Sequence, residues 1–130
     1  MKLLSLFLLA TALAAGCAAP PPAPPPTGLA EVMERPAERA LLDGIRAYDD
    51  GQYAQAETAL RQALADGLQS ARDRATAHKL LAFISCTSQR PADCEQQFRD
   101  ARAADAGFGL SRSEAGHPLW GPVYRSVAAQ

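Results

Sequence analysis

An all-α fold is what the sequence predicts, on three observations. Apolar residues recur at helical spacing from Pro36 to about Asp105, no segment alternates with period two over a useful length, and glycines and prolines fall between the periodic runs. Pro36 suits a first helical turn, where its missing N–H would be unpaired anyway. Leu41, Ile45 and Tyr48 then share one face, and Gly51 offers a left-handed stop. The next segment turns Tyr53, Ala56, Leu60, Ala63 and Leu64 inward and ends at Gly67. A third runs from about Arg72 to Cys86, with Ala77, Leu80, Leu81 and Ile84 inward. Pro91 starts a fourth, with Asp93 and Glu95 in its first turn complementing the helix dipole and Cys94, Phe98 and Ala101 inward. Beyond Asp105 the chain changes character. Ser111 and Glu114 have the spacing of a capping box, opening a single turn that Gly116 closes.

The four helices read as two copies of one unit. Gly44, Tyr48, Gly51, Tyr53, Ala56, Leu60 and Ala63 mark the first. Ala82, Cys86, Cys94, Phe98 and Ala101 fall at a constant offset in the second (44 to 82, 60 to 98), with Asp105 at its close. The pattern resembles the tetratricopeptide repeat: a small residue mid-helix, an aromatic one turn on, Gly-x-Tyr at the bend, then Ala, a large apolar residue and Ala. The offset exceeds that family's usual period of about 34 residues, and the excess is assigned to the turn around Asp66 to Asp73. The second copy is degenerate at its bend, where Gln89 and Pro91 replace Gly and Tyr. The small residues have a physical role, since antiparallel helices approach closely only where side chains at the crossing are small. The expected architecture is therefore about two tetratricopeptide-like antiparallel hairpins, four helices, with a C-terminal capping segment. A generic Ala-rich helical bundle is the alternative.

The N-terminus has the order of a secretory signal: Lys2, the apolar run Leu3 to Leu13, then Ala14-Ala15-Gly16 before Cys17. The run is shorter than the ~20 residues that span a bilayer. With a cysteine directly after small residues, the segment resembles the lipobox of bacterial lipoproteins, departing from it at Ala14, where Leu is commoner. Residues 1–16 are then a removable signal peptide and Cys17 the lipidation site. Ordinary cleavage leaving a plain Cys17 thiol is the alternative. Two or more acyl chains give stable anchoring at about 0.8 kcal/mol per buried CH₂. Ala18 after the cysteine, by resemblance to the lipoprotein sorting rule, points to the outer membrane. Residues 17–35 form the lipidated cysteine and a Pro-rich tether, and 36–130 the helical-repeat domain with its cap. The run Pro20 to Pro26 should adopt polyproline II at about 3.1 Å per residue, holding the domain off its anchor.

The formal net charge is −1, with no basic stripe, so nucleic acid is not an expected partner. Alanine supplies much of the apolar content and aromatics are only 6%, so the core buries little area per residue and stability should be modest. With Cys17 lipidated, Cys86 and Cys94 remain as an even pair in an oxidising compartment. They sit at equal distances from a bend near Arg90, so they can face each other across the hairpin at disulfide separation. Two buried free thiols are the alternative.

No catalytic constellation appears: no Gly-x-Ser-x-Gly elbow, no phosphate loop, no Cys-x-x-Cys. The only histidines, His78 and His117, lie far apart, and no cluster has metal-ligand spacing. His78 is expected to pack at the start of its helix and His117 to cap the segment before Pro118. Enzyme activity, a metal, a cofactor and a small-molecule substrate are accordingly not expected.

The stretch Gly116 to Tyr124 holds the only tryptophan. His117, Pro118, Leu119, Trp120, Val123 and Tyr124 read either as a lid over the open apolar end of a short repeat array or as an exposed docking patch. The tetratricopeptide resemblance implies a concave face built from the first helix of each unit: Leu41, Ile45 and Tyr48, then Lys79 and Phe83. Such a groove could hold a peptide or a partner helix, unless the proline tether or the C-terminal tail covers it.

Three stretches carry a wider resemblance: Ala77 to Ser88, then Cys94 and Phe98, then Glu114 to Tyr124. Together with the signal and tether they resemble the TssQ family of type VI secretion-associated lipoproteins. The resemblance implies an outer-membrane-anchored accessory protein on the periplasmic face, acting through contacts with protein components of that apparatus and catalysing no known reaction. The alternative is a general envelope-maintenance lipoprotein contacting peptidoglycan or the outer-membrane assembly machinery.

Overall fold

The computed structural model describes residues 28–130; the expected signal peptide, Cys17 and the proline run lie outside the described residues. Seven helices follow in order: α1 (Leu29–Glu34), α2 (Pro36–Asp49), α3 (Tyr53–Asp66), α4 (Ala71–Thr87), α5 (Pro91–Ala104), α6 (Arg112–Ala115) and α7 (Gly121–Ala128). No strand occurs among the described residues. Prolines open α2, α5 and α7, where a missing N–H costs nothing. The Ser70 hydroxyl accepts from the Asp73 N–H to start α4. Gly67, at φ 89°, closes α3 in the left-handed conformation.

Helices α2 and α3 pack as one antiparallel hairpin and α4 and α5 as another; α4 joins the two by packing on α3 and α2, and α7 lies on α5. The core runs between the hairpins: Leu41, Leu60, Leu81, Ile84 and Phe98 are buried, with Ala56, Ala63, Ala77, Ala82 and Ala101 filling the close approaches. Gly44 shows why a small residue is needed. A Cβ there would lie 2.8 Å from both Cγ and Cδ2 of Leu60 and 3.2 Å from its backbone N.

The two hairpins repeat each other in backbone as well as in sequence. Asp50 N–H donates to Arg46 O, and Ser88 N–H to Ile84 O; Gln52 N–H donates to Ala47 O, and Arg90 N–H to Ser85 O. Gly51 bends at φ 73°, and Gln89, its counterpart, at φ 58°. The second bend thus keeps the shape while losing the glycine, holding a side-chain-bearing residue in a region that costs about 1–2 kcal/mol. Two things compensate. Cys86 and Cys94 are joined as a disulfide across this bend, with Cα atoms 5.1 Å apart. Arg90, just past it, grips Glu57 of α3 with two bonds of 3.0 and 2.7 Å, tying the second bend to the first hairpin. The Arg90 bond, aided by Arg61, holds the Glu57 carboxyl below its ordinary pKa against the opposing effect of burial.

Several elements depart from the sequence reading. The short helix α1 forms inside the 17–35 range assigned to the tether, so helix begins at Leu29, before Pro36. Tyr53, expected inward, is 48% exposed, because as the first residue of α3 it sits at the rim of the bend. His78 lies mid-helix in α4, not at its start, where Nδ1 is 2.8 Å from Gln97 Oε1 on α5. Gly121 to Tyr124, part of the expected lid or patch, open a helix that runs on to Ala128.

Candidate functional site

The face of α4 that carries Lys79 and Phe83 belongs to the expected groove. It is occupied. Beyond α5 the chain turns back, and the loop-α6 segment returns across this face. Ser111 and Glu114 complete the capping box: Glu114 N–H donates to the Ser111 hydroxyl, and Ser111 N–H to Glu114 Oε2 at 2.8 Å. The other carboxylate oxygen, Oε1, takes the Lys79 ammonium at 2.7 Å. One side chain therefore starts its own helix and fastens it to α4. Burial works to raise the Glu114 pKa, but the bonds from Lys79 and Ser111 outweigh it and hold the carboxyl below its ordinary value.

Trp120 completes the cover. Its indole stacks on Phe83 with centroids 4.2 Å apart and planes 18° off parallel. His117 lies 3.3 Å from the same indole at 2°. Two rings cannot share one face of an indole at those spacings, so Trp120 is sandwiched between Phe83 and His117. The indole N–H donates to Glu114 O at 2.8 Å, so its one polar atom is paired. His117 Nδ1 accepts from the Leu119 N–H at 3.2 Å, fixing the ring at the turn before α7.

Helix α7 then seats on α5. The Tyr124 ring meets Phe98 at 5.4 Å and Phe108 at 6.2 Å, while its hydroxyl accepts from the Leu110 N–H at 3.3 Å. Val127 is buried, and its carbonyl accepts from Arg102 of α5 at 2.7 Å. Gly121 sits at the crossing, where a Cβ would collide with the Ala115 carbonyl. Only glycine fits there.

The candidate residues thus have different fates. Phe83 is 4% exposed and Lys79 is committed to Glu114, so neither is open to a partner while the segment is seated. Leu41, at 5%, is core. Trp120, Val123 and Tyr124 pack inward as the cover, whereas Pro118 and Leu119 remain exposed beside His117. What stays open of the expected groove is its α2 side: Ile45 and Tyr48 are half-buried, and Tyr48 contacts Tyr53 at 5.5 Å and Phe83 at 6.5 Å. Burial raises the Tyr48 phenol above its ordinary pKa, helped by Tyr53, Asp49 and Glu114.

An open depression of about 540 Å³ lies elsewhere, between α2 and α3, lined by Ala40, Asp43, Ala54, Gln55, Thr58, Ala59 and Gln62. None of the candidate residues reaches it. Among the described residues no group of three His, Cys, Asp or Glu side chains is placed to hold a metal, and no helix is long and apolar enough to cross a membrane. The sequence reading missed Tyr53 as a surface residue and Glu114 as a fastener. The capping-box spacing marked Glu114, but nothing local indicates that its second oxygen meets a lysine 35 residues away. Comparison with protein families, curated proteins and solved structures finds no match to this chain.

Proposed function

We propose that the chain is an outer-membrane-anchored periplasmic accessory lipoprotein of a type VI secretion system, a helical-repeat scaffold that binds protein components of the apparatus. The observation that carries the reading is that the three stretches bearing the family resemblance form one connected unit. Phe83 stacks on Trp120, Lys79 binds Glu114, Cys86 bonds Cys94, and Phe98 packs on Tyr124. Residues spread over the chain that act as a single structural device are what a family signature should contain. The signal, with Cys17 behind Ala14-Ala15-Gly16, supports the anchor, and the helical hairpins support a role in protein contact.

The test is co-purification from detergent-solubilised membranes of the native host, with a Cys17→Ala chain as control and a fatty-acid analogue to follow acylation. Enrichment of secretion-apparatus subunits with the labelled wild-type chain is the expected result. Recovery of outer-membrane assembly proteins or peptidoglycan-linked proteins instead would replace the reading with general envelope maintenance. No label and no enrichment over the control would end both.

A further inference from the structure

With the α4 face covered, the exposed aromatic surface on this side of the molecule is a corner at the first bend. Tyr53 is 48% exposed. Its ring stands 5.5 Å from that of Tyr48, with planes at 58°, so the two rings form an angled, partly open wall. This wall continues into the covered groove through Phe83, 6.5 Å from Tyr48.

Cations near the corner are paired, Arg90 and Arg61 with Glu57 among them. Asp49 and Asp50 end α2 beside it, both exposed and neither in an ion pair among the described residues. Arg46, the basic residue of that last turn, is paired with Asp43 at 3.6 Å. Across the groove, Lys79 is taken by Glu114. Burial raises the Tyr48 phenol pKa most, then Tyr53, and Asp49 and Glu114 add to it, which puts both carboxylates near the ring. An exposed tyrosine ring and a half-buried one, next to two carboxylates that make no ion pair among the described residues, suit a cation with a flat or greasy body. A guanidinium stacks on a tyrosine face, its stem lies on the ring edge, and its charge meets the carboxylates. An acidic or neutral polar segment gains none of these contacts.

The geometry points to the Tyr48–Tyr53 corner as the docking site for a basic segment of a partner protein, with an arginine laid across the two rings and Asp49 and Asp50 at its rim. The inference deepens the scaffold reading by naming the chemistry of the partner. It needs a protein partner but no particular secretion machine, so its test is independent of the co-purification above.

The experiment uses isotope-labelled mature chain with Cys17→Ser, titrated with a six-residue peptide alternating leucine and arginine. A citrulline version keeps the shape without the charge, and a glutamate version reverses the charge. The arginine peptide should shift the ring resonances of Tyr48 and Tyr53, with the citrulline peptide about tenfold weaker and the glutamate peptide silent. Tyr53→Ala, at an exposed site, should weaken binding about fivefold, and Asp49→Asn with Asp50→Asn should remove most of the salt dependence. Equal binding of the three peptides, shifts centred elsewhere, or no response to either variant would overturn the proposal. So would arginine-peptide binding that appears only after residues 18–27 are deleted, since the chain's own proline run would then be the occupant. Concentration-dependent shifts at Tyr53 without peptide would assign the corner to a second copy, with the same consequence.

Discussion

Replacing Trp120 by alanine tests whether the C-terminal segment is a structural cover. A tryptophan or phenylalanine lost from a full interior costs about 3–5 kcal/mol, and Trp120 is only partly buried. Its contacts allow a narrower figure. The Phe83 stack contributes about 0.5–1.5 kcal/mol, and the indole N–H bond to Glu114 O about 1 kcal/mol. Roughly half of an indole's ~200 Å² of burial, at about 25 cal/mol per Å², adds about 2.5 kcal/mol. These terms overlap, because stacking and burial count some of the same surface, so the expected loss is about 3 kcal/mol. Urea unfolding followed by far-ultraviolet circular dichroism measures it without relying on the missing fluorophore. Trp120→Phe, which keeps a ring on Phe83 but loses the N–H, should cost about 1 kcal/mol. Binding of a hydrophobic dye should rise in the alanine variant, because Phe83 is only 4% exposed in the seated state. A loss under about 0.5 kcal/mol, typical of a surface change, together with unchanged dye binding would refute the cover.

Other consequences follow from single contacts. Gly44→Ala gains up to about 1 kcal/mol of helix propensity, but the new Cβ would overlap a fully buried Leu60, including its backbone N at 3.2 Å. Overpacking of about 1–3 kcal/mol should prevail, giving a lower urea midpoint, and a stabilised variant would show that Leu60 yields to the added methyl group. Reducing the Cys86–Cys94 bridge, or Cys94→Ala, should cost about 2.5 kcal/mol on the chain-entropy estimate for so short a loop; an unchanged midpoint under reductant would contradict that estimate. The Glu57–Arg90 pair predicts a pH effect. The folded-state pKa of Glu57 is lowered, so its contribution is complete above the unfolded carboxylate pKa and is lost as pH falls through the folded value. Arg90→Gln should flatten the acid limb of a stability–pH curve, and an unaltered acid limb would show that the clamp contributes nothing.

The sequence made the hairpins legible because their determinants are local or periodic. Pro36 and Pro91 open helices, Gly51 and Gly67 close them, Ser111 and Glu114 cap a turn, and the apolar stripes repeat at helical spacing. The equal spacing of Cys86 and Cys94 about Arg90 was enough to place them across a hairpin, and they are bonded. The degenerate second bend also followed the first, since the repeat had fixed where it must lie even though Gln89 stands in place of glycine. Less could be read at the margins. Leu29 to Glu34 has only six residues of helix, and Tyr53 carries an inward-looking pattern onto the rim of a bend where Tyr48 covers it only in part.

By itself, then, the sequence determined the helical class, the two-hairpin plan and the placing of Cys86 opposite Cys94, because spacing along the chain dictates each of them. Only the tertiary structure decided that Trp120 covers the α4 side of the groove, that Lys79 is spent on Glu114, and that Tyr53 is half exposed. The reason is physical. Those outcomes depend on which groups meet after the chain returns on itself, as Lys79 and Glu114 do across 35 residues, and periodicity carries no information about meetings at that range.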